Sequence, residues 1–179
     1  DEFIEHGKPD IQKKLAGIYF ENVADYEASI YHFNKLLEVS IDNEEKKKFR
    51  FNIAKSYFYL HQFFQSMTEL ETLLSDKLNP QMSFEVLRLK ADLLVSSKKT
   101  EEAAILIKRL IDEFPERAKK EQLALHLAVC YEELEKYDDT IALLTGLRDS
   151  YPNPEFIDLK LRRLKEKKKV LPGAKGLRK

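Results

Sequence analysis

Residues 123–144 read LALHLAVCYEELEKYDDTIALL, and their apolar positions recur at helical spacing with a single break in the middle. Ala124, Leu127, Ala128 and Tyr131 share one helix face, and Tyr137, Ile141, Leu144 and Leu147 share another, with the turn at Glu135-Lys136. Stepped back 37 residues at a time, the same pattern returns three more times. Small residues stand at Gly17, Ala54, Ala91 and Ala128; three positions on come Phe20, Tyr57, Leu94 and Tyr131; nine further on come Ser29, Ser66, Ala103 and Thr140. A fixed period of this length marks a repeat array, in which each unit buries its apolar face against its neighbours. Antiparallel helices approach closely only where a side chain is nearly absent, so both small sets are expected at helix crossings. Bulk there should cost about 1–3 kcal/mol.

The bulk composition agrees with an all-α chain. Of 179 residues, 43% are hydrophobic and 35% charged, enough for one domain with a continuous core and too apolar for disorder. Only 5 Gly and 6 Pro occur, nearly all outside the periodic segments, which argues against a turn-rich β protein. Asn79-Pro80 and Asn153-Pro154 each offer an N-cap acceptor followed by Pro at the first helical position, and Asp42-Asn43 precedes two glutamates. Pro115 and Pro152 are expected to stop second helices. The reading is eight paired helices and a ninth from Pro154, whose Leu161 and Leu164 continue the period while Lys165 and Lys168 fill its next slots with charge.

Several kinds of chemistry find no support. Cys130 is the only cysteine, so neither an internal disulfide nor a thiol zinc site can form. His6 and His126 each have a possible ligand four residues on, Asp10 and Cys130, but no spacing supplies a third group. No phosphate-binding Gly loop or serine-nucleophile motif occurs, so the chain is read as a non-enzyme without cofactor or metal. No apolar run approaches the roughly 18 residues of a membrane span. Charge balances at 31 against 31, yet residues 160–179 carry ten Lys and Arg against Glu166 alone. An acidic body with a basic end results, open to an acidic partner or anionic surface; the acidic body disfavours nucleic acid.

The fourth repeat, with Leu127-Ala128, Tyr131, Tyr137, Leu144 and Pro152, resembles the tetratricopeptide repeat, and the third matches through Leu87, Ala91, Ala103-Ala104, Ile107 and Pro115. The first two repeats carry Ile41 and Leu78 in place of Pro, and the family's mid-repeat Gly is replaced in all four, by Ala24, His61, Lys98 and Glu135. The period of 37 exceeds the family's usual length of about 34. The resemblance implies a right-handed superhelical solenoid: four helix-turn-helix repeats over residues 10–154, a capping helix over 154–169 and a basic, flexible tail over 170–179. Residues 110–140 also resemble, loosely, bacterial envelope members of the family. That likeness places the chain in the periplasm or cell envelope ahead of the cytoplasm, as a component of envelope assembly or maintenance.

In this family the first helices line a groove that holds another protein. Carried over by position, the groove residues are Phe51, Lys55, Phe58, Tyr59, Arg88, Asp92 and Val95, with Lys14, Ile18, Val129 and Glu132 in the outer repeats. Phe51, Phe58 and Tyr59 form an aromatic cluster that the repeat's own packing does not require, and aromatic anchors favour interfaces. The competing reading has Phe51 or Phe58 closing the core between repeats. The carboxylate clamp of chaperone-type members is incomplete, because Ile18, Leu89 and Glu85 replace the residues it needs. The implied activity is an adaptor or scaffold that receives a partner peptide or helix; an RNA-binding helical repeat ranks below it.

Overall fold

In a computed structural model, which describes residues 9–170, the chain forms ten α-helices and no strand among the described residues. They are α1 (Pro9–Ile18), α2 (Tyr26–Val39), α3 (Asn43–Tyr59), α4 (Phe63–Ser75), α5 (Pro80–Ser96), α6 (Thr100–Glu113), α7 (Pro115–Lys120), α8 (Leu123–Glu133), α9 (Tyr137–Leu147) and α10 (Pro154–Val170). Of the segment expected as a tail, 170–179, Val170 closes α10, and 171–179 lie outside the described residues. The chain divides within α5 into two compact halves, Asp1–Leu93 and Leu94–Lys179.

Helix starts follow the capping chemistry. The carboxylate of Asp42 and the amide oxygen of Asn79 accept hydrogen bonds, both at 2.9 Å, from the backbone of Glu44 and Met82, and Asn153 accepts one from Phe156 at 3.2 Å. Each satisfies a first-turn N–H that has no partner inside its helix. Those caps keep the 37-residue period, except that the slot at 116 holds Glu. There Pro115 opens the short helix α7 instead of merely ending α6, and no side-chain cap is made. The first helix of repeat four is consequently in two pieces, α7 and α8, where one helix was expected. They meet at Gln122, whose φ of 55° is left-handed.

The turns inside the four hairpins share one backbone device. Ala24, His61, Lys98 and Glu135 all have φ between 56° and 61°, the left-handed region at which a Gly carries no steric penalty. The mid-repeat Gly of the family is therefore missing in composition but kept in conformation.

In the first half, Ala16, Phe33, Leu36, Phe49 and Ile53 form a core between α1, α2 and α3, and Ala54, Leu70, Leu73, Met82, Val86, Leu89 and Leu93 form the next, between α3, α4 and α5. In the second half, Ala128, Leu144, Ile157, Leu161 and Leu164 pack α8, α9 and α10 together. Full burial of a Val, Leu, Ile, Phe or Met side chain stabilises by about 1.5–3 kcal/mol. The second small set is buried throughout: Ser29, Ser66 and Ala103 are fully buried and Thr140 nearly so. Ser66 donates across its hairpin to the carbonyl of Ala54 at 2.8 Å.

The first small set needs a correction. Ala54 and Ala91 are fully buried and Ala128 nearly so, but Gly17 is only partly buried, and a methyl group added to it would meet nothing within 4 Å. Its place is taken by Ala16, fully buried, whose carbonyl accepts from Ser29 at 3.3 Å. The cause is a π-helical turn, Tyr19–Val23, which inserts one residue before the left-handed Ala24. Counted back from Ala24, Phe20 corresponds to Tyr57; counted forward from Ala16, it corresponds to Phe58. Contacts follow the second count, since Phe20 meets Tyr26 at 5.7 Å as Phe58 meets Phe63 at 6.0 Å.

Candidate functional site

Phe51, Lys55, Phe58 and Tyr59 occupy positions i, i+4, i+7 and i+8 of α3, so one face of that helix carries all four. The Lys55 ammonium lies over the Phe20 ring at 4.6 Å and the Phe51 ring at 5.8 Å, within cation–π range. Burial pushes the Lys55 amine below the ordinary lysine value, against the upward pull of Glu85 on α5 and Glu21 in the π turn. Phe20 and Glu21 of the π turn, Phe51 of α3 and Glu85 in the early turns of α5 thus all act on one cation. On α5, Glu85, Arg88 and Asp92 follow at i, i+3 and i+7, and Arg88 and Asp92 form an ion pair.

Tyr59 is 48% exposed and joins a second aromatic group. Its ring stacks on Tyr26 at 4.9 Å and meets Phe20 at 5.9 Å and Phe58 at 5.7 Å. Phe51 and Phe58 behave differently. Both are half-buried and pack against the core of α3, α4 and α5, so the expectation that the repeat's packing does not need them is overturned. Their rings serve the core with one side and border Lys55 or Tyr59 with the other. Phe20 and Tyr26 belong to this arrangement and lie outside the set of expected groove residues. The signal that could have found them is the aromatic character of repeat one at the positions matching Phe58 and Phe63.

Of the remaining expected positions, Ile18 is exposed and Lys14 extends from α1. Val95, half-buried in the last turn of α5, falls in the second half and is left out of the arrangement around Lys55. Val129 is exposed, while Glu132 accepts a hydrogen bond from Lys167 that holds its carboxyl below the usual range. Lys168 pairs with Asp138 and Lys169 with Glu166, so part of the basic end is already neutralised within the described residues. Cys130 is buried, and burial raises its thiol above the ordinary value, the setting of an unreactive side chain. Among the described residues no helix is long and apolar enough to cross a membrane, and no group of three metal-ligating side chains is found.

Hairpins repeated at a fixed period, with aromatic and charged side chains concentrated on a first-helix face, define a helical-repeat protein. A family model of the tetratricopeptide repeat matches residues 122–154, and the chain has the all-α tetratricopeptide-repeat fold. Among solved structures it is similar to a crystal structure of nearly identical TPR-like repeats from a candidate kinesin light chain of Podosopora anserina. The TM-score is 0.65 at 16% identity, over 88% of this chain and 84% of that one. No curated protein matches the chain.

Proposed function

We propose that the chain is a non-enzymatic adaptor that holds a segment of another protein, extended or helical, against the face built around Lys55. Tetratricopeptide repeats as a class mediate protein–protein interaction, which supports the general reading. The observation that carries the specific one is the half-buried Lys55 set between Phe20 and Phe51, with Tyr59 exposed beside them. A partly desolvated cation bordered by aromatic rings is the mixture that interface anchors use, because it combines apolar area with a directional charge. Arg88 and Asp92 extend the face with both signs of charge, which suits a segment of mixed rather than uniformly acidic character.

A display selection of random peptides on the wild-type chain, repeated on Lys55→Glu/Tyr59→Ala, tests this. Both side chains reach the surface in part, so the variant should keep its helical circular dichroism. Selected peptides are expected to bind it at least about tenfold more weakly, the scale of losing one anchor. Unchanged affinities in a folded variant would remove the Lys55 face from the account.

A further inference from the structure

The cut in the first helix of repeat four does more than interrupt a hairpin. Along it runs a cleft of about 560 Å³, wholly within the second half and lined on both sides of the break by Ala118, Gln122 and Ala124. This volume lies in the range of roughly 300–1,000 Å³ typical of ligand sites. Ile111, Pro115, Leu147, Tyr151 and Pro152 form an apolar floor from the ends of α6 and α9 and the residues that follow them. Pro115 and Pro152 are the 37-residue equivalents of one another, so the cleft is the space between two successive repeat junctions.

Its rim is charged. Lys119 and Lys120 are exposed, line the cleft and have no ion-pair partner among the described residues. Glu116 is the one carboxylate on the lining, so cations exceed anions there. Of the neighbouring acids, Asp112 pairs with Lys108, Glu113 with Arg109 and Asp149 with Arg148, and Glu121, next to Lys120 in sequence, lies off the lining. An apolar floor calls for a bulky hydrophobic side chain, and two unneutralised lysines beside it call for carboxylates next to that side chain in sequence.

We infer that this cleft is a second protein-binding site, which takes an acidic segment of a partner through one large apolar anchor flanked by Asp or Glu. The anchor sits over Ile111, Leu147 and Tyr151, and the flanking carboxylates meet Lys119 and Lys120. Gln122, whose side-chain oxygen accepts from the Tyr151 hydroxyl at 3.4 Å, offers a polar group at the edge that the segment's backbone can use.

The test is a titration of the ¹⁵N-labelled chain with an acetylated, amidated hexapeptide EDLFDE, followed by amide shifts, with KKLFKK as its charge-reversed counterpart. Wild type is expected to show saturable shifts at Ile111, Ala118, Gln122 and Leu147 with EDLFDE. Lys119→Glu/Lys120→Glu changes only exposed side chains; it should bind that peptide about tenfold more weakly and prefer KKLFKK. Shifts that do not saturate, or that are equal in wild type and variant, would overturn the inference. Shifts confined to Phe51, Lys55 and Tyr59 would overturn it too, while leaving the adaptor reading of that other face standing.

Discussion

Repeats one and four depart from the same 37-residue pattern in opposite ways. Repeat one absorbs an extra residue inside its first helix as the π turn Tyr19–Val23; repeat four lacks the Asx cap at position 116 and its first helix is cut at Gln122. An inserted residue within a helix can be taken up by widening one turn, which keeps the axis continuous and rotates what lies on either side. A lost cap, with Pro a residue earlier, shifts the start of the helix, and the mismatch is then released as a left-handed break. The first solution brings Phe20 over Lys55. The second opens a cleft between repeat junctions. In both, an irregularity in the backbone falls where side chains of mixed chemistry gather.

The two repeats should differ most at the first small set. If the π turn has moved the register of repeat one, bulk should be tolerated at Gly17 and refused at Ala54, although the two stand at equivalent places in the 37-residue period. Ala54→Leu puts an isobutyl group where a methyl stood, at a fully buried site beside Ser66, and is expected to destabilise by about 1–3 kcal/mol or more. Gly17→Ala removes backbone freedom from the unfolded chain without meeting a neighbour, and should stabilise by about 0.5–1 kcal/mol. Urea denaturation of both variants measures the difference. Destabilisation by Gly17→Ala would return Gly17 to the crossing.

The same shift explains what is and is not legible in the sequence. The hairpins, their turns and the caps at Asp42, Asn79 and Asn153 follow from local patterns, because each depends on residues close in the chain. The left-handed turns can be placed from the family's missing Gly, since the conformation persists when the residue does not. The π turn cannot, because one extra residue leaves the spacing from Ala24 onward intact and alters only what precedes it. For that reason the period points to Gly17 where the fold uses Ala16, and it pairs Phe20 with Tyr57 where the contacts pair it with Phe58. Phe51 and Phe58 escape the pattern for a different reason: a half-buried aromatic ring has two faces, and residue identity does not say which face the core takes.

Repeat four can be probed through its two left-handed residues, Gln122 at the break and Glu135 in the hairpin turn, both exposed. Replacing either by Gly removes a steric penalty of about 1 kcal/mol, offset in part by the greater freedom of the unfolded chain. Glu135→Gly is expected to stabilise by about 0.5 kcal/mol. Gln122→Gly should gain less, because it also gives up the contact with Tyr151. Thermal melts of the two single variants decide the order. A larger gain at Gln122 would mean that the break is strained beyond its backbone angle.

Beside Phe20 of repeat one, the amine of Lys55 gives stability a weak dependence on pH. Burial lowers its amine below the ordinary lysine value in the folded chain, whereas the unfolded chain keeps that value. Between the two, the unfolded state binds more protons, so stability rises with pH across that window. Below both values the cost of holding a charged, partly desolvated amine is constant; above both it is gone. Wild type compared with Lys55→Gln by urea denaturation, from about pH 7 to about pH 10.4, should therefore gain stability relative to the variant as pH climbs. Using the difference between the chains cancels the other lysines and tyrosines that titrate in the same range. A gap that stays flat would mean that water reaches the ammonium freely, and that Phe20 and Phe51 do not enclose it.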